Sequence, residues 1–174
     1  PTEAPGPHYQ GDVMDIIGDG FDLMIAHPPC TYLAVSGMHW TTRGMRDPQL
    51  TEDALDFVRR LMAAPIPSIA IENPVSVISS RIRKPDQIIQ PYEYGDNASK
   101  KTCLWLKGLP PLKPTRRVAG RMVMHNGRQV ERWENQTDSG QNKLPPSADR
   151  WKNRARTYQG WADAMSAQWG GLNP

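Results

Sequence analysis

Cysteine is scarce in this sequence. The 174 residues contain two, Cys30 and Cys103, too few for the disulfide framework of a small secreted domain. In a reducing compartment each is either core filler or a working thiol. Apolar residues are also sparse, at 38%. No run approaches the roughly 20 apolar residues of a membrane span, and no charged-then-apolar leader opens the sequence. A membrane partner is therefore not expected, and a cytoplasmic location is. Acidic residues thin out along the chain. Residues 1–80 hold 4 Lys/Arg against 10 Asp/Glu, whereas residues 81–174 hold 17 against 8. The basic half suits a phosphate-bearing partner, or is simply a solvated surface.

What the chain does have is proline and glycine, 17 and 14 residues, which make it rich in loops. Its length fits one domain over 1–174, large enough to bury roughly 70% of its unfolded surface. Six tryptophans can stack on bases or fill a core.

Three prolines in Pro1–Pro7 read as an extended lead-in. The run Phe21 to Ala26 reads as a buried strand stopped by His27-Pro28-Pro29-Cys30, since proline cannot donate to a ladder. Asp47 to Ala64 reads as a helix, with Thr51 as cap, Asp53 in its first turn, and Leu55, Val58, Leu61 and Met62 on one face. Ser68 to Ile71 reads as a second strand, stopped by Glu72-Asn73-Pro74. Strand, helical crossover and strand make a βαβ unit, so these strands should be parallel. Ligands gather outside the carboxyl ends of such strands, so Pro-Pro-Cys and Glu-Asn-Pro should face one crevice. Gln87–Ile89 and Thr102–Leu106 read as further strands, joined through a polar loop over 95–101. The region 109–156 reads as an irregular insert able to contact nucleic acid, with a hairpin over Gly120 to Arg128 around Asn126-Gly127 and a mobile loop over 134–146. Thr157 to Trp169 reads as a closing helix, with Trp161, Met165 and Trp169 four residues apart.

Two positions stand out chemically. Cys30 follows two prolines at a strand end, on a stiff loop open to the crevice. A free thiol has a pKa of about 8.5, so a modest shift makes it a nucleophile at neutral pH. Cys103, inside an apolar strand, reads as core filler. Glu72 ends a buried strand, where a carboxylate needs a partner or water. It is a strand-end cap, a salt-bridge partner of a neighbouring arginine, or an acid or hydrogen-bonding group acting beside Cys30. His27, Cys30 and His39 lack a fourth ligand, and prolines separate the first pair, so no metal is expected. Arg116, Arg117, Arg121, Arg128 and Arg132 could track a phosphate backbone or face solvent. Arg150, Lys152, Arg154 and Arg156 have the same two readings.

The segment Asp22 to Thr31 resembles the Pro-Cys nucleophile motif of the cytosine-C5 DNA methyltransferases. Ile71-Glu72-Asn73-Pro74 resembles their Glu-Asn-Val motif, and Gly11-Asp12-Val13 resembles their Gly-Asp-Ile segment. Order and spacing fit, and the likeness to small phage-encoded members runs from about His8 to Gly170. The resemblance implies an α/β fold of the Rossmann-like, class I S-adenosylmethionine-dependent type, with a mostly parallel sheet lacking its N-terminal βαβ part. It implies methyl transfer from S-adenosylmethionine to C5 of cytosine in DNA, in the host cytoplasm for a phage protein. Cys30 would add to C6 and Glu72 would hold or protonate N3. Asp12 and Pro28 would contact the cofactor, and Asn73, Lys100 and Thr102 the substrate. In a duplex the base would first be flipped out.

The sequence departs from that family in three ways. The Gly-rich cofactor loop and the acidic strand end are missing upstream of Gly11. The Gln-x-Arg-x-Arg motif is absent, with Lys100 and Thr102 nearest its arginine positions, although lysine lacks the planar fork of arginine. No large target-recognition domain is present. Other readings therefore stay open: a catalytically degenerate binding relative, a pyrimidine nucleotide C5-methylating enzyme, and an amino-methyltransferase. In the last, His27 and Cys30 replace the acid and the aromatic residue that such enzymes need.

Overall fold

A computed structural model describes residues 6–147 and 157–171. Its central sheet has four strands: β1 (Leu23–Ala26), β2 (Ser68–Pro74), β3 (Gln87–Ile89) and β4 (Thr102–Lys107). Their spatial order is β1-β2-β4-β3. β1 and β2 pair in parallel, with Leu23 opposite Ser68 and Ala26 opposite Ile71. The long crossover between them carries a one-turn helix α1 (Met38–Thr42) and the main helix α2 (Gln49–Met62), as parallel pairing requires.

The protein is thus α/β, but its sheet is mixed rather than mostly parallel. β4 is antiparallel to both of its neighbours, with Pro74 opposite Thr102 on one side and Ile89 opposite Thr102 on the other. The reason is the short return from β3 to β4, which has no crossover helix and must reverse the chain. β1, β2 and β3 still run in one sense, so their carboxyl ends share one edge of the sheet.

Side chains alternate across β2. Ile69 and Ile71 join Leu33, Leu55, Val58, Leu61, Cys103 and Trp105 in a core under α2. Ala70 points the other way and joins Ile89, Leu104, Leu112 and the face of the last helix, α4 (Gln159–Trp169). Trp161, Met165 and Trp169 are buried there, as their spacing predicts. Gly160 lets α4 come close, because a Cβ there would collide with the Tyr94 carbonyl.

Several local readings are corrected. Phe21 lies outside β1 and is exposed, and β1 is only half-buried, with Ile25 exposed, because it is an edge strand. β2 is not stopped by Glu72-Asn73-Pro74: those residues belong to it and pair with Leu104, Cys103 and Thr102, since β4 continues alongside. Thr51 does not cap α2: the helix starts earlier, the Asp47 carboxylate accepts from the Gln49 N–H at 2.9 Å, and Thr51 is buried. The hairpin is longer than expected, joining β5 (Arg121–His125) to β6 (Arg128–Arg132) through Asn126 and Gly127, at φ 50° and 74°. The insert is therefore not wholly irregular. A one-turn helix, α3 (Ile78–Arg81), follows β2. Among the described residues, no helix is long and apolar enough to cross a membrane. Residues 1–5 of the lead-in, residues 148–156 of the insert with Arg150, Lys152, Arg154 and Arg156, and residues 172–174 lie outside the described part.

Candidate active site at the carboxyl edge of the sheet

The prolines that stop β1 leave a short, stiff loop whose carbonyls have no ladder partner of their own. Asn73 supplies one. Its side-chain amide donates to the Pro28 carbonyl at 2.9 Å, and both residues are buried. One residue earlier, on the opposite face of β2, Glu72 meets the other side of the same loop. Its Oε2 lies 2.8 Å from Nδ1 of His27. Two successive residues of β2 thus clamp two successive residues after β1.

Beyond Pro29 the chain turns, with the Cys30 carbonyl accepting from the N–H groups of Leu33 and Ala34 at 3.1 and 2.9 Å. The loop is then laced to the segment after β2. Val35 N–H donates to Val75 O at 3.1 Å, Val77 N–H donates to Leu33 O at 2.9 Å, and Ala34 bridges Ser76. Leu33 is fully buried and anchors the turn. Cys30 itself is exposed. It lies three residues past His27, so its Cα is within about 11 Å of that of His27.

The environments of the two polar strand endings differ. The Glu72 side chain is 12% exposed and that of His27 43%. Glu72 Oε1, Asn73 Oδ1 and Ser76 Oγ are buried with no protein partner. Buried polar groups normally find one, so this edge is built with spare acceptors. The partner of Glu72 is a histidine, where sequence reasoning offered an arginine or the substrate. Cys103 is buried opposite Asn73. Burial chiefly pushes its thiol up, Lys101 pulls it down, and the Glu72 charge pushes it up further. That leaves it core filler, as read from the sequence.

The other expected site residues are placed as follows. Thr102 is fully buried between Pro74 and Ile89, and its hydroxyl donates to the Lys100 carbonyl at 3.0 Å. Lys100 is half-buried at the same edge, its N–H donating to Gln90 Oε1 and its Nζ 5.8 Å from the centre of the Trp161 ring. Asp12 is exposed before β1, and its carboxylate caps its own short turn by accepting from Met14 N–H at 2.9 Å. The edge therefore brings together Pro28, Cys30, Glu72, Asn73, Lys100 and Thr102, while the described contact of Asp12 is with its own turn.

The segment after Cys30 was missed. From Leu23 through Arg46 there is no Asp or Glu, although the surrounding half of the chain is acidic. This stretch exposes Val35, Trp40 and Met45. Arg46 donates to the Thr31 carbonyl at 2.8 Å and lies over the Tyr32 ring, folding the stretch back beside Cys30. The acid-free run was the available signal.

The hairpin arginines are largely engaged within the protein. Arg117 pairs with Glu131; Arg121 reaches the carbonyls of Trp133 and Gln136 and the Asp138 carboxylate; Arg132 donates to the Asp138 and Glu131 carbonyls; and Arg116 donates to Gly95 O. The loop over 134–146, expected to be mobile, is tied down by these bonds and by a bridge from Gln136 to Asn142. Among the described residues, no group of three or more His, Cys, Asp or Glu is arranged to hold a metal ion. The chain matches no known family model, no curated protein and no solved structure.

Proposed function

We propose that the protein acts on cytosine in DNA by covalent addition of Cys30 to C6, as in the cytosine-C5 DNA methyltransferases. One observation carries the reading: the loop with the exposed thiol and the largely buried carboxylate are clamped together at the carboxyl edge of a parallel strand pair. The shared direction of β1, β2 and β3 supports the finer fold reading, the C-terminal part of a Rossmann-like, class I methyltransferase sheet.

The chemistry asked of these residues is simple. The Cys30 thiolate forms a bond to C6, and the electron pair of the C5–C6 double bond moves toward C5 and the ring nitrogens. In its protonated form Glu72 donates to N3, giving it a hydrogen bond or the proton as negative charge builds up there. Asn73 does not need to touch the base, since its amide already fixes Pro28 and with it the cysteine loop. Thr102 acts through the Lys100 carbonyl, and Lys100 precedes it at this edge. The acid-free stretch with Trp40 and Arg43 offers a contact to DNA.

S-adenosylmethionine supplies an electrophilic methyl group when bound. The residues present make an incomplete seat for it. The Asp12 carboxylate caps its own turn, and the Pro28 carbonyl is taken by Asn73. This poor fit favours one second reading, a DNA-binding relative that does not transfer methyl groups. Calorimetric titration of the folded protein with S-adenosylmethionine separates the two, because only the enzyme gives a binding isotherm.

The test of the leading reading is covalent capture of a duplex containing 5-azacytosine, whose ring, once N5 has taken a proton or a methyl group, has no C5 hydrogen to lose and so keeps the cysteine attached. Cys30→Ser is expected to abolish capture. Capture at the wild-type level by that variant overturns the assignment.

A further inference from the structure

Two acid-free stretches meet beside the cysteine loop. The first runs from Leu23 through Arg46 and the second from Asn73 through Pro85. Val35 N–H donates to Val75 O and Val77 N–H to Leu33 O, so the two are laced together at the carboxyl edge of the sheet. Val35, Trp40, Met45 and Val75 are all exposed there, Trp40 by 46%. Backbone bonds join them in pairs: Val35 to Val75, and Met45, whose N–H donates to Trp40 O at 2.9 Å. Apolar groups gathered in this way mark a contact surface, which single exposed side chains do not.

Trp40 is well supported although exposed. It stands in α1, and Gly37, just before that helix, lies so close to the cysteine loop that a Cβ on it would be 3.5 Å from the Thr31 carbonyl. Arg46 ties the chain after α1 to the same carbonyl at 2.8 Å. The His39 ring lies against the indole, with centroids 4.7 Å apart, and His39 Nδ1 is 3.1 Å from the Ser36 carbonyl. Arg81 and Arg83 in the second stretch are spent on Glu52 and Asp86. Arg43, at the end of α1, is exposed, and among the described residues its guanidinium has no partner.

We propose that this surface binds a single strand of DNA, with Trp40 stacked on a base beside the cytosine that meets Cys30 and Arg43 on a phosphate. The assignment rests on the reading of Cys30 as the atom that attacks cytosine, and it adds the form of the DNA. Arginines without a nearby run of carboxylates suit a polyanion. The exposed ring and aliphatic groups suit the faces of bases, which an unpaired strand offers freely. In a duplex those faces are already stacked, and the groove edges are read through hydrogen-bonding groups instead. A single strand also brings C6 to the thiol without a base first being extruded.

The test measures, by fluorescence anisotropy, the affinity for a short labelled oligodeoxynucleotide with unmodified cytosine, as single strand and as duplex in the same salt. The wild-type protein should bind the single strand about tenfold more tightly. Trp40→Ala should lose about tenfold of that affinity with its unfolding temperature unchanged, and Trp40→Phe should keep most of it. Arg43→Ala should make the slope of log affinity against log salt shallower by about 0.7. Wild-type affinity in Trp40→Ala overturns the assignment, as does a wild-type protein that binds the duplex as tightly as the single strand or binds neither. Covalent capture of a 5-azacytosine single strand reports the proposed function separately. No capture by a protein that binds through Trp40 refutes the nucleophile and leaves the strand surface standing. Normal capture with normal affinity in Trp40→Ala does the reverse.

Discussion

Two regions of this molecule handle polar groups in opposite ways. At the carboxyl edge of the sheet, Glu72, Asn73 and Ser76 each keep a buried oxygen without a protein partner. Around the β5–β6 hairpin, several arginines bond to protein acceptors: Arg121 alone bonds two carbonyls and a carboxylate. The sequence presents the second region as the obvious anion binder, since it holds the excess of positive charge. The structure uses much of that charge to hold irregular chain together. Charge density therefore does not mark the candidate site; among the described residues, buried polar atoms without a partner gather at this edge, with others at Thr41, Thr51 and Trp161, and each costs stability unless something else repays it.

Substitutions in the two regions should therefore separate function from stability. The largest expected effect is that of Asn73→Ala. It removes the donor to the buried Pro28 carbonyl, at a cost of about 1–3 kcal/mol, and frees the cysteine loop. Thermal unfolding should report the loss, and capture of the 5-azacytosine duplex should fall at least tenfold in the fraction that stays folded. A variant that is destabilised but captures normally would break the link between the clamp and the chemistry.

Arg121→Ala should come next. It releases the 134–146 loop, so limited proteolysis should cut there faster, while stability falls by about 1 kcal/mol, because the guanidinium is partly exposed. DNA capture should not change. A large loss of DNA affinity without faster cleavage would restore the hairpin as a phosphate contact.

The smallest effect concerns acid. Its hydrogen bond from Arg117 first, and then that from Gly120 N–H, hold the Glu131 carboxyl below the ordinary glutamate range. A carboxylate depressed by folding stabilises the folded state fully above its unfolded value, and that contribution fades as pH falls through the folded one. Unfolding of the wild-type protein should thus become slightly easier below about pH 4.5, and Glu131→Gln should remove part of that slope. Equal slopes in the two proteins would show that the pair contributes nothing to the hairpin.

The parts of the fold that were legible follow from local rules. β1 and β2 were visible as apolar runs ended by proline, α2 and α4 as periodic apolar faces, and the hairpin turn as Asn126-Gly127. The direction of β4 was not legible, because Thr102 to Lys107 carries no mark of its neighbours and pairing is decided by connection length and packing. Thr51 was misread because Asp47, just before Pro48, takes the capping role first. At the site, Cys30, Glu72 and Asn73 were named from their strand ends, but their partners were not. The His27–Glu72 and Pro28–Asn73 contacts each join residues 45 apart in sequence, and no local pattern encodes them.

The central claim is that the exposed thiol after β1, and not the buried one in β4, is the atom that meets the base. Mass-spectrometric mapping of the peptide attached to a 5-azacytosine oligonucleotide tests it directly. The account predicts an adduct on Cys30 that disappears in Cys30→Ser and is greatly weakened in Glu72→Gln. An adduct on Cys103, or none from a folded wild-type protein that binds the same DNA, would contradict it.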